Sequence, residues 1–103
     1  MKKMTKNRFS EPSLLILISI AEQNRHGYAI MEDIEKSYDI KLGPGTLYGA
    51  ISRLEKSGYI QAVASDDRKK PYALTEDGET YVKEQIQAMQ KVTTVGMQRL
   101  GLI

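Results

Sequence analysis

The chain has 103 residues, with 15 Lys and Arg against 13 Asp and Glu for a formal net charge of +2, and 41% of its residues are hydrophobic. That is the balance of one small globular domain, and at this size pairing with a second subunit adds apolar burial that a single chain lacks. Cysteine is absent, which excludes disulfides, thiol catalysis and cysteine-ligated zinc, and a lone histidine, His26, argues against a histidine metal site or a catalytic triad.

Residues 2–8 carry four positive charges (Lys2, Lys3, Lys6, Arg8) and no negative one. Placed ahead of the apolar run 14–18, they invite a secretory-signal reading, with Ser19-Ile20-Ala21 as a cleavage-like triplet. Glu11 and Pro12 interrupt that approach, and the run is shorter than the roughly 7–15 residues of such a signal or the about 20 of a membrane span. The expectation is a cytoplasmic protein with no membrane association, in which residues 1–9 form a basic tail.

A first helix is expected to start near Ser10, whose hydroxyl can accept an orphan backbone N–H, with Glu11 and Pro12 in the first turn. Leu14, Leu15, Leu17, Ile18 and Ala21 form its buried stripe, and Ile16 and Ile20 widen that stripe beyond what one small core requires. Asn24-Arg25-His26-Gly27 reads as a turn, with His26 as a loop or cap residue rather than a ligand. A second helix follows, with Ile30, Met31, Ile34 and Tyr38 on one face and Glu32, Asp33, Glu35 and Lys36 on the other. Tyr28 is expected to pack this helix, with phosphate contact as its secondary reading.

Gly43-Pro44 reads as the start of a third helix, since glycine is acceptable at the cap and proline at the first helical position loses no needed hydrogen bond. Leu47, Ile51 and Leu54 recur at i, i+4 and i+7 as its core side, while Gly45, Thr46, Gly49, Ser52, Arg53 and Lys56 lie largely opposite. Gly58 is a natural stop. Residues 59–63 and 71–74 then flank the polar tip Ser65-Asp66-Asp67-Arg68-Lys69-Lys70, a hairpin pattern in which Pro71 is tolerable at a strand start. Thr75 can cap a last helix whose acidic first turn (Glu76, Asp77, Glu79) suits its positive end. Tyr81, Val82, Ile86, Met89, Val92 and Val95 continue an apolar stripe that weakens near Gly96.

Three helices, a hairpin with a basic tip and a further helix follow the order of a winged helix-turn-helix, a mainly α fold with a small β-hairpin. Residues 41–74 carry a net charge of +3 against −3 over residues 22–39, so the basic character sits where a reading helix and a wing would lie. Small residues at the start of the third helix let its backbone approach the major groove, and Arg68, Lys69 and Lys70 at the wing tip suit phosphates or the adjacent minor groove. The domain boundaries expected are 10–75 for the winged helix-turn-helix and 76–103 for a C-terminal dimerisation helix.

The stretch Gly43-Pro44-Gly45-Thr46-Leu47-Tyr48-Gly49-Ala50-Ile51-Ser52-Arg53-Leu54-Glu55 resembles the PadR family of transcriptional regulators. His26-Gly27-Tyr28, Arg68-Lys69-Lys70-Pro71-Tyr72-Ala73-Leu74-Thr75 and Glu76-Asp77-Gly78 agree with it, so that the resemblance covers about residues 13–85. It implies a homodimeric repressor at a palindromic operator, of the short subclass whose single C-terminal helix packs on the partner subunit. The DNA-binding residues expected are Gly45, Thr46, Tyr48, Arg53, Arg68, Lys69 and Lys70, with the resemblance placing Tyr48 at the DNA backbone. Leu14, Ile16, Ile20, Val82, Ile86, Met89 and Val92 are expected at the dimer interface.

No cofactor and no metal are expected, and whether a small-molecule effector acts stays open. Some short members hold planar drugs with an aromatic pair that includes tryptophan; this chain has no tryptophan and, in its last helix, only Tyr81. Gly43 stands where serine is common in relatives. The alternative reading is a winged-helix protein-interaction adaptor that does not read DNA, supported by the acidic patch at 32–39 and the glycine at 43. An enzyme is not expected, because no phosphate loop, histidine pair or metal-ligand cluster is present.

Overall fold

The computed structural model describes residues 12–66 and 68–103 of the chain, so the basic tail, the Ser10 cap, Glu11 and Asp67 lie outside the described residues. The elements run α1 (Ser13–Glu22), β1 (Arg25–His26), α2 (Gly27–Tyr38), α3 (Pro44–Lys56), β2 (Ile60–Ala62), β3 (Pro71–Leu74) and α4 (Glu76–Arg99). This is a winged helix-turn-helix with a long final helix. Pro12 stands at the N-cap of α1 rather than in its first turn.

α1 is the central helix, packed against α2, α3, α4 and β3. A helix that is apolar all round belongs inside, and this one surrenders nearly every face. Ile16 and Leu17 are fully buried and Ile20 nearly so, while Ala21 is exposed. The expectation that Ile16 and Ile20 are spare width for a partner therefore does not hold: they fill the subunit's own core, with Ile30, Ile34, Leu47, Ile51, Leu54 and Val82.

The residues read as a turn at 24–27 contain β1, which makes the sheet three-stranded rather than a lone hairpin. In the antiparallel order β1-β3-β2, Arg25 pairs with Tyr72 and His26 with Pro71, while Ile60 faces Leu74 and Ala62 faces Tyr72. Pro71 occupies the first position of β3, where its missing N–H is tolerated. Arg25 binds the elements around β1 together: its Nε donates to the Ser19 carbonyl at 3.0 Å, and its Nη2 meets Glu22 and lies 4.0 Å from Asp33.

The His26 ring accepts from the Ala29 backbone N–H through Nδ1 and so caps α2, which ends on Asp39 in the left-handed conformation. Thr75 caps α4 by accepting from Gly78 N–H at 3.0 Å. α4 runs through Gly96, a substitution for alanine that costs a helix only about 1 kcal/mol. It closes after Arg99, where Gly101 takes a positive φ and its N–H donates to the Gln98 carbonyl.

Candidate nucleic-acid interface

α3 splits into two faces. Leu47, Ala50, Ile51 and Leu54 are buried, and Pro44, Gly45, Thr46, Ser52 and Arg53 are exposed with Gly49 half-buried beside them. Gly43 caps the helix through backbone conformation alone, with no side-chain hydrogen bond, and no heavy atom stands within 4 Å of where a side chain would begin at Gly43 or Gly45. The first turn therefore presents bare backbone and one hydroxyl, a surface thin enough to enter a major groove. Arg53 folds back along the helix, its Nη1 3.7 Å from a Cβ built on Gly49.

Tyr48 is 48% exposed and reaches sideways from α3 across the start of α2. Its phenol lies so close to Gly27 that any side chain there would collide with it. Beside it the three cations of the wing converge. His26, Gly27, Tyr28, Tyr48, Arg68, Lys69, Lys70 and Tyr72 together line one concavity of about 270 Å³. It is walled by aromatic rings, rimmed by three positive charges and open at one side, the chemistry that holds a sugar-phosphate backbone.

Of the expected DNA-contacting residues, Tyr48, Arg68, Lys69 and Lys70 thus meet in one place, while Gly45 and Thr46 form the adjoining tip of α3 and Arg53 lies further along it. His26, Tyr28 and Tyr72 join the concavity without having been expected there as a group. The string His26-Gly27-Tyr28 was the available signal; Tyr72 is buried within β3, and only the pairing of β1 with β3 brings it alongside. Burial, the nearby Glu55 carboxylate and Tyr48 push the Tyr72 phenol above its ordinary pKa of 10.0.

The residues expected at a dimer interface divide. Ile16, Ile20 and Val82 are buried within the subunit and have no area left to give. Ile86 and Met89 are about two-fifths exposed and Val92 is 72% exposed. With Leu14, Leu15, Ile18 and Tyr38, the first two line an apolar groove of about 390 Å³ between α1 and α4. Ile18 and Tyr38 belong to the apolar faces of their own helices, and their place at the groove edge follows from the way α1, α2 and α4 meet. Among the described residues, no helix is long and apolar enough to cross a membrane and no cluster of His, Asp or Glu could hold a metal ion.

A three-helix head with a basic wing and a long terminal helix defines the winged helix-turn-helix class of regulators. Within that class, residues 16–84 match the model of the transcriptional regulator PadR-like family, and the chain belongs to that family. A PadR family transcription regulator from Clostridium difficile is 25% identical, with a TM-score of 0.78 over 85% of this chain and 96% of that one. A transcriptional regulator from Clostridium thermocellum is 26% identical, with a TM-score of 0.77 over 95% and 97%. An uncharacterised protein of a transposon in Streptomyces fradiae is 33% identical over 86 residues, and this chain spans only about a quarter of that relative's length. The relatives with described roles are transcriptional regulators, not enzymes.

Proposed function

We propose that the chain is a homodimeric, sequence-specific DNA-binding repressor that acts in the cytoplasm at a palindromic operator. The observation that carries this reading is the single concavity in which Tyr48 of α3 and the wing cations Arg68, Lys69 and Lys70 meet. One DNA backbone seated there leaves Gly45 and Thr46 at the tip of α3 beside the major groove. The wing and Arg53 supply positioning charge, and the exposed first turn supplies base contact. The apolar groove bordered by Leu14, Ile86 and Met89, continued by Val92, takes the α4 helix of a second subunit, and an effector that loosens this contact would act through the same face. Two-fold pairing of the heads is what a palindrome demands.

Selection of bound duplexes from a random pool by the purified protein tests the reading: a palindromic consensus is expected, and selection of unrelated sequences would sink it. Affinity for that consensus is expected to fall steeply with salt as counterions are released. The Arg68→Ala variant is expected to bind all duplexes more weakly by a similar factor and to lower the salt slope by about one. The adaptor alternative has less to stand on, since Asp33 and Glu35 of the acidic patch face Arg25 and Lys41.

A further inference from the structure

One residue, Tyr59, ties the end of the reading helix to the start of the long helix. Tyr59 N–H donates to the Leu54 carbonyl of α3 at 3.0 Å, and the Tyr59 carbonyl accepts from Thr75 N–H at 3.0 Å. Its ring stacks on Tyr81 of α4, with centroids 4.4 Å apart and planes 14° from parallel. Thr75 reinforces the joint from the other side, its hydroxyl donating to the Gly58 carbonyl at 2.6 Å while accepting from Gly78 N–H. Gly78 lets α4 seat directly on the Tyr59 peptide, where any side chain would strike the carbonyl oxygen. Five polar or ring contacts and one bare backbone contact therefore fix the direction in which α4 leaves the reading head.

We propose that this joint of Gly58, Tyr59, Thr75, Gly78 and Tyr81 sets the distance between the two reading helices and so selects the half-site spacing of the operator. The proposal rests on the dimeric DNA-binding reading above. Its warrant is leverage. The groove residue Met89 lies 13 residues beyond Glu76, about 20 Å along the helix axis. A swing of about 10° at the joint displaces the head by about 3.5 Å relative to that contact, close to one base-pair step of about 3.4 Å. Two-fold symmetry doubles the offset. A loose joint thus tolerates neighbouring spacings and a stiff one does not. Tyr81 is a positioning residue in this scheme and does not line the concavity proposed to hold DNA.

The test uses the full chain, with Tyr81→Ala and Tyr81→Leu removing the stack and Tyr81→Phe keeping it. Affinity is measured for the selected palindrome and for versions with one base pair added or removed between half-sites. Wild type and Tyr81→Phe are expected to lose about tenfold on the altered spacings, and Tyr81→Ala and Tyr81→Leu less than about threefold, with binding to the selected spacing largely kept. A second readout needs no DNA. The chain has no cysteine, so Lys56→Cys gives one spin label per subunit at the end of α3. The label-to-label distance distribution across the dimer is expected to broaden in the Tyr81→Ala background and not in Tyr81→Phe. Undiminished spacing discrimination with an unbroadened distribution in Tyr81→Ala or Tyr81→Leu would overturn the joint alone, as would a uniform loss at every spacing. A wild-type protein that is monomeric would overturn the dimeric reading and the joint with it, whereas a wild-type dimer that ignores spacing would overturn the joint alone.

Discussion

At the residue scale, Gly27 and Tyr48 act as a pair. Gly27 is buried and Tyr48 half-exposed, so a methyl group added at Gly27 moves the phenol rather than the backbone. Gly27→Ala is therefore expected to change folding stability by no more than about 1 kcal/mol, because the new side chain also restrains the unfolded chain. DNA affinity is expected to fall about tenfold, the scale of one lost side-chain contact, with the loss read from titration of a fluorescent duplex. Tyr72 gives a prediction in pH. Burial first, then Glu55 and Tyr48, raise the pKa of its phenol in the folded state. The folded chain then holds that proton where the unfolded chain releases it, so the contribution is complete below about pH 10 and is lost as pH rises through the folded value. Denaturant midpoints are expected to drop above pH 10 more steeply in wild type than in Tyr72→Phe.

At the scale of elements, Arg25 shows what two residues of strand accomplish. α1 ends without a basic residue in its last turn, and the Arg25 side chain, only 14% exposed, supplies the missing donor to the Ser19 carbonyl while meeting Glu22 and standing near Asp33. Arg25→Ala is expected to cost about 1–3 kcal/mol, read from chemical unfolding at fixed protein concentration, and Arg25→Lys is expected to recover little because an ammonium lacks the guanidinium fork. β1 itself was not legible in the sequence: two residues carry no alternation, Asn24 and Gly27 on either side favour a turn, and only the pairing with Tyr72 and Pro71 makes them a strand. α3 and the wing were legible because local chemistry and tertiary role agree there. Proline after a glycine starts a helix, apolar residues at 47, 51 and 54 bury one side, and the polar tip at 65–70 has no core to enter. α1 was legible as a helix but not in orientation. Apolar on every side, it offers no pattern from which the core-facing residues Ile16 and Ile20 can be told from the groove-lining Leu14 and Ile18.

For the molecule as a whole, the long α4 leaves a small domain with apolar area uncovered. Ile86, Met89 and Val92 project along one helix at positions three apart, beside a groove that Leu14, Ile18 and Tyr38 extend across α1 and α2. A continuous apolar strip of this kind marks an interface, whereas scattered exposed side chains do not. A carboxylate at its centre separates folding from pairing. Met89 is 41% exposed in the single subunit, so Met89→Glu leaves the charge in water there and is expected to change the monomer's stability by less than about 1 kcal/mol. In a dimer the same carboxylate is buried without a partner and meets its symmetry mate's charge, a cost of several kcal/mol. Sedimentation is expected to show wild-type dimer and variant monomer with the helical spectrum preserved. The consequence for DNA follows from linkage of the two half-sites. Each head of a dimer binds at the effective concentration set by its tether, and a monomer forfeits that gain, so affinity for the palindrome is expected to fall by about 100-fold or more while affinity for an isolated half-site stays near the wild-type value. A variant that remained dimeric, or a monomer that bound the palindrome as tightly as wild type, would place the pairing surface elsewhere than this groove.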